Sequence, residues 1–274
     1  MSAYLLRPVP ILPSQITAGF EALLNPQPKV VFEVTQEAAG LGSWAIRFTV
    51  DFGQDTNFDT IALLFHNGPA GGLFEAYGRT SAQGPFASAV GGESPADGLV
   101  IGSPWRAAPP PGATRFHFVH AMPVAASRRY LRIVLFWPGP GPAVPFRAGI
   151  FAVGRRFQPG GVLGGFDWGA GRRVIDLSSV RTLPGGERGR WLGAKVPEVR
   201  GTWSHLTDAE LSELWAIQTA VGESEPVLLV EAPDTLGAAS AHDGIHYGLL
   251  TGLDFFERRQ TDKSRVEVRL QHWL

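Results

Sequence analysis

The segment from Ala45 to Gly68 constrains the fold most. Its first part, Ala45-Ile46-Arg47-Phe48-Thr49-Val50-Asp51-Phe52-Gly53, alternates partly between apolar and polar residues and ends in a turn-forming Asp-Phe-Gly. Its second part, Phe58-Asp59-Thr60-Ile61-Ala62-Leu63-Leu64-Phe65-His66-Asn67-Gly68, is nearly continuous in apolar residues and ends in Asn-Gly. Partial period-two patterning predicts a half-buried strand, and a strand-length apolar run closed by turn residues predicts one covered on both faces. Two such strands, joined by a polar loop, begin a β-sandwich.

The rest of the chain keeps this texture. Strands are predicted at 30–35, 43–51, 60–66, 73–77, 114–120, 129–137 and 147–153, enough for one sandwich. The 34 glycines and 22 prolines are spread along the whole length, as many short strands joined by tight turns require. With 274 residues, 44% of them hydrophobic, the chain can bury one large all-β domain or two ordinary ones. Residues 1–29, with prolines at 8, 10, 13, 26 and 28, read as an extended N-terminal arm. The sandwich is expected over 30–160, and a turn cluster at Gln158-Pro159-Gly160-Gly161 marks the boundary of a second domain over 161–274. The longest irregular stretch is expected from Thr80 to Gly112, although it contains Trp105 and the apolar run Leu99-Val100-Ile101.

The second domain carries the one clear helix signal. Thr207 followed by Glu210 is a capping box, Leu206 and Leu211 occupy the staple positions, and Gly222 supplies the stop. Leu211, Leu214, Trp215 and Val221 are read as the buried stripe, and Glu210, Glu213 and Gln218 as the outward face. Such a helix would lie over a small β-barrel.

Composition excludes several functions. A net charge of −1 provides no global field toward nucleic acid or an anionic membrane, so neither is expected as a partner. The absence of cysteine removes disulfides, thiolate nucleophiles and cysteine–zinc sites. Apolar runs are strand-sized, so no membrane insertion is expected, and the proline-broken start does not read as a secretory signal.

Catalytic patterns are weak. His242 and His246 are separated by Asp243-Gly244, which reads as a turn with solvent-exposed histidines, not a zinc-binding helix. His117 and His120, three apart on a strand, face opposite sides. Asp51, Asp55 and Asp59 cluster at a turn whose backbone Asp51 can bond, instead of forming a glycosidase pair. No Gly-x-Ser-x-Gly elbow, phosphate loop or dinucleotide fingerprint occurs. No enzymatic activity, cofactor or metal is therefore expected. Tryptophans 105, 137, 168 and 191 fall in loops or at strand ends, where an indole serves as an interface anchor or stacks on sugar. Arg172, Arg173, Arg181, Arg188, Arg190 and Arg200 make one segment locally basic, and Glu210, Glu213, Glu223, Glu225 and Glu231 make the next acidic. Opposite patches on one small domain suit head-to-tail contact between copies in a ring.

A strand ending in Asp-Phe-Gly, followed by Asp-Thr-Ile-Ala-Leu-Leu-Phe-His-Asn-Gly and later by Arg129-Tyr130-Leu131-Arg132-Ile133 and Ala148-Gly149-Ile150-Phe151-Ala152-Val153-Gly154-Arg155, resembles the discoidin-like (galactose-binding-like) jelly-roll sandwich of tailed-phage tail-tip proteins. The arginine-rich strand, capped helix, Pro-Val-Leu-Leu-Val strand, Tyr-Gly-Leu-Leu strand and final alternating strand are similar to the barrel-plus-helix unit of tail-tube and distal-tail proteins. Together the likeness covers the chain from about residue 24 onward. It implies a structural protein of the virion, at the tail tip or baseplate, made in the host cytoplasm. It further implies a homo-oligomeric ring, tube, hub and tape-measure proteins as partners, and contact between the sandwich and host-surface carbohydrate. Candidate glycan or partner contacts are His66, Asn67, Trp105 and Arg106; candidate intersubunit contacts are Arg172, Arg173, Arg188, Arg190, Glu210 and Glu213. The alternative reading is a carbohydrate-binding module of a cell-wall-active enzyme.

Overall fold

The computed structural model describes residues 3–16, 37–38, 43–68, 71–87, 93–104, 116–138, 146–160, 165–167, 170–182, 186–231, 244–251, 257–260 and 263–273. The chain is mostly β, its strands pair antiparallel, and it divides into two compact units. One comprises Pro8–Arg156 with Pro233–Asp243; the other comprises Met1–Arg7, Phe157–Ala232 and Gly244–Leu274.

The first unit is organised by two very long strands, β3 (Ser43–His66) and β6 (Phe116–Pro138), paired along their length. The sequence reads each of them as two strands separated by a loop; both are continuous. In β3 the supposed turn is a bulge. Gly53 takes φ +79°, Asp51 accepts a hydrogen bond from the Gly53 N–H at 2.8 Å, and the register with β6 slips between Asp51 and Thr56 before pairing resumes. An Asp followed by a left-handed glycine serves a bulge as well as a hairpin. The first half of β6's partner set is extended by β4 (Leu73–Arg79), which pairs with 130–136 of β6, and by β5 (Gly98–Pro104) beyond it. The second half of β3 pairs on its other edge with β7 (Ile150–Phe157). A short β2 (Glu37–Ala38) pairs with the start of β3.

The bent ribbon brings its two halves face to face. Phe74 of β4 stacks on Phe118 of β6 at 4.2 Å, and Phe48 of β3 meets Phe151 of β7 edge-on at 5.1 Å. Ile46, Val50, Ile61, Leu63, Leu131, Ile133 and Val153 fill the space between. Trp137, expected to be too exposed for a core, is buried and stacks near Phe146. The stretch expected to be irregular from Thr80 to Gly112 contains β5, and its first part is clamped to the sheet. Arg79 and Arg132 place guanidinium groups over the Phe86 ring at 4.9 and 4.3 Å, Arg132 and Arg47 meet Glu93, and Arg79 bonds Asp97 at 2.8 Å.

The second unit is built on a sheet in the order β1 (Tyr4–Pro8), β12 (Val227–Val230), β13 (Ile245–Leu250), β15 (Lys263–His272), β11 (Lys195–Leu206) and β8 (Gly171–Asp176). A short β14 (Glu257–Gln260) pairs with β15. Tyr4, Leu5 and Leu6, within the region read as an arm, are fully buried and pair with 228–230. Residues 17–29 of that region and the predicted strand 30–35 lie outside the described residues. Trp203, Val266, Val268 and Leu270 form the core with Leu206, Leu214 and Val221, the last two on α1 (Asp208–Val221), the one α-helix among the described residues.

The capping box forms as the sequence requires: Thr207 accepts from the Glu210 N–H, and the Glu210 carboxylate accepts from the Thr207 N–H at 2.8 Å. Two stripe assignments differ. Trp215 is 59% exposed and Gln218 is buried, because Gln218 lies four residues past Leu214 on its face while Trp215 is turned about 100° away from it.

Candidate functional site

The most unusual surface of the second unit is a β-arm. Strands β8 and β11 pair from Gly171↔Arg200 to Asp176↔Lys195. Leu177 adds one more rung, its N–H donating to the Ala194 carbonyl at 3.0 Å, and after a one-residue shift of register the chain forms a separate two-stranded hairpin of β9 (Ser179–Thr182) and β10 (Arg188–Trp191). Gly193 sits at the junction because a Cβ there would lie 2.3 Å from the Leu177 carbonyl oxygen. Asp176 closes the other strand by accepting from the Ser178 N–H at 2.8 Å, and Ser178 Oγ accepts from the Gly193 N–H at 3.0 Å.

Beyond that junction the residues are almost all exposed, including ones a monomeric sheet would bury. Trp191 is 78% exposed, and Val180 and Leu192 are also open to solvent, as are Val174 in β8 and Leu177 at the junction itself. Cross-strand pairs share a face, so Val180 and Arg190, with Arg188, occupy one side, and Arg181 and Trp191 occupy the other. Between Arg181 and Trp191 stands Gly189, which has no side chain and leaves a hollow lined also by Ser179.

Three of the candidate intersubunit residues are engaged within the chain. Arg172 grips Glu231 with two nitrogens, at 2.5 and 3.3 Å; Arg173 bonds Glu198 at 2.6 Å; Glu210 serves the capping box and accepts from the Gly160 N–H at 2.7 Å. Arg188 and Arg190 stand on the outer hairpin, and Glu213 is exposed on α1.

The candidate glycan contacts separate differently. His66 is buried between Phe116 and Phe146, and its Nδ1 accepts from the Gly68 N–H at 3.2 Å. Asn67 ties the strand end to Arg147, accepting the Arg147 N–H at 2.6 Å and donating its own N–H to the Arg147 carbonyl. His66 is thus buried in a corner of the first unit, and the partly exposed Asn67 ties that corner together. Trp105 and Arg106, like Trp168, lie outside the described residues.

One polar cluster escapes sequence reasoning. His246, expected in an exposed turn, is buried on β13, where its two ring nitrogens meet Glu231 Oε1 at 3.1 Å and His272 Nε2 at 2.8 Å. Arg172 extends the chain of contacts to four residues. Burial raises the Glu231 carboxyl, but hydrogen bonds from His246 and Arg172 and their charges outweigh it and bring it down to about 2. Burial and the neighbouring His246 and Arg172 push His272 down to about 4. The groups are strung in a line through His246 and do not converge on one point; among the described residues no cluster is arranged to hold a metal ion. Nothing in the sequence places residues 231, 246 and 272 together, because only the β12–β13–β15 pairing does so.

Among the described residues no helix is long and apolar enough to cross a membrane. No protein-family model, curated protein or solved structure matches the chain.

Proposed function

We propose that this protein is a structural component of a tailed-phage tail tip or baseplate, or of the equivalent prophage or gene-transfer particle, and works by assembling with copies of itself and with other tail proteins rather than by catalysis. In this reading the first unit is a discoidin-like sandwich that faces outward, toward host-surface carbohydrate, and the second is a small barrel with its helix that joins the ring. The resemblance of the strand order to tail-tip proteins supplies the setting. The observation that carries the assembly role is the arm: Val180, Trp191 and Leu192 stand in water between arginines, on a hairpin that extends beyond its parent sheet. Aromatic and arginine side chains together are the usual anchors of protein interfaces, and exposed apolar surface of this kind favours burial against a partner.

The test is light scattering and negative-stain imaging of the full chain across a micromolar concentration series, together with immunogold labelling of intact particles. Ring-sized assemblies and label at one end of the tail are the expected results. A strict monomer that binds cell-wall sugar and labels no particle would overturn the proposal in favour of the carbohydrate-binding module.

A further inference from the structure

Resting on that assembly reading, we infer that the arm of one copy docks on the exposed face of α1 of the next copy, so that the contact is head-to-tail. The hairpin at 179–192 carries Arg181, Arg188 and Arg190 against one acidic residue, Glu187. Residues 207–226, which hold α1 and its exit, carry Asp208, Glu210, Glu213, Glu223 and Glu225 and no lysine or arginine, with Glu210 held by the capping box and Gly160 and Glu225 lying 3.9 Å from Arg7. Each surface also presents one large aromatic to solvent, Trp191 on the arm and Trp215 on the helix. Asp208 and Trp215, seven residues apart, lie on the same outward face of α1. Cation meets anion and indole meets apolar surface, which is the pairing a second copy offers.

The two surfaces join one strand at its opposite ends. The arm leaves the sheet at Lys195, the first residue of β11, and Thr207, the cap of α1, follows Leu206, the last. Twelve residues of strand therefore separate the base of the arm from the start of the helix, a span of about 36 Å at about 3.3 Å per residue. Donor and acceptor at opposite ends of one strand generate a heterologous contact, which closes into a ring or propagates as a stack.

Complementation of two defective variants tests this. The arm variant carries Arg188→Ala, Arg190→Ala and Trp191→Ala; the helix variant carries Asp208→Ser and Trp215→Ala. All these residues are exposed, and circular dichroism with thermal melting verifies that both variants fold. Each variant alone is expected to assemble about 30-fold more weakly than the parent, or worse. An equimolar mixture should form a one-to-one dimer and stop there, because the arm of the helix variant still has the intact α1 of the arm variant to occupy, while the other junction is dead. A helix variant that assembles like the parent would overturn the inference and leave the assembly role standing. So would a mixture that remains monomeric although both variants are folded, since an intact arm and an intact α1 would then have met without binding. A parent protein that never assembles removes both readings.

Discussion

Replacing Glu231 with glutamine keeps the shape of the group that accepts from Arg172 and contacts His246, but discards its charge. The carboxyl is lowered from 4.5 to about 2 in the folded protein, and its side chain is 22% exposed. A carboxylate whose folded pKa lies below its unfolded value stabilises the fold fully above the unfolded value, and that contribution is lost as pH falls through the folded one. Here the window runs from about pH 5 to pH 2. A depression of about 2.5 pH units corresponds to about 3 kcal/mol at pH 7, or about 300-fold in an opening equilibrium. At pH 3 the unfolded carboxyl is almost wholly protonated and the folded one is still ionised, so about one unit survives, a tenfold effect. Because the chain has two units, one global unfolding curve would mix them. Hydrogen exchange of peptides spanning β12 and β13 reads the second unit directly, and comparing parent with variant at the same pH cancels the intrinsic exchange rate. Protection should fall about 300-fold in Glu231→Gln at pH 7 and about tenfold at pH 3. An equal gap at both values, or one below tenfold at pH 7, would refute the claim that charge at this position holds β8, β12 and β13 together.

Three further outcomes follow from the packing. Leu214→Ala should lower the melting temperature of the second unit through a loss of about 2–5 kcal/mol, whereas Trp215→Ala should stay within about 0.5 kcal/mol, because only the first side chain is in the core. Gly193→Ala forces a Cβ against the Leu177 carbonyl, so trypsin should cut at Arg181, Arg188 or Arg190 about tenfold faster than in the parent, with the far-ultraviolet spectrum unchanged. His66→Ala should destabilise the first unit by about 3 kcal/mol, read by hydrogen exchange of β3 and β6, because it empties a stacked, hydrogen-bonded position in a corner.

The sequence identifies strands by period and apolar content, and it does so well where those signals are local. The strands at 73–79 and 150–157 and the capped helix are visible because alternation, a Thr-x-x-Glu box and a terminal glycine each act within a few residues. It fails where one residue set serves two geometries. Asp51 with Gly53 makes a bulge here and would make a turn elsewhere, and Pro123 in β6 is tolerated because it falls between Ala121 and Ala126, where the β3–β6 ladder is interrupted. The helix stripe shows a different failure: Trp215 looks like core by residue type, but geometry gives the buried position to Gln218. Of the candidate contacts, Arg188, Arg190 and Glu213 remain on the surface. The engagement of Arg172 with Glu231 was invisible, because its partner is 59 residues away and meets it only through sheet pairing.

The arm explains why exposed apolar residues can be stable in this fold without an internal partner. An isolated two-stranded hairpin is marginal in water, and a flexible segment with the same residues would have to be ordered at the moment of docking. This hairpin is tied to β8 and β11 through the Leu177–Ala194 hydrogen bond and the Ser178–Gly193 contact, where the register shifts by one residue, so its side chains are already placed. The two ion pairs at its root, Arg172–Glu231 and Arg173–Glu198, fix β8 to the sheet while leaving the arginines of the outer hairpin exposed. In the proposed docking, rigid placement would lower the ordering cost of binding, and desolvating Trp191, Val180 and Leu192 would then contribute to association. A surface loop whose only task was to connect β8 to β11 would need neither the glycine at the junction nor tryptophan at the end.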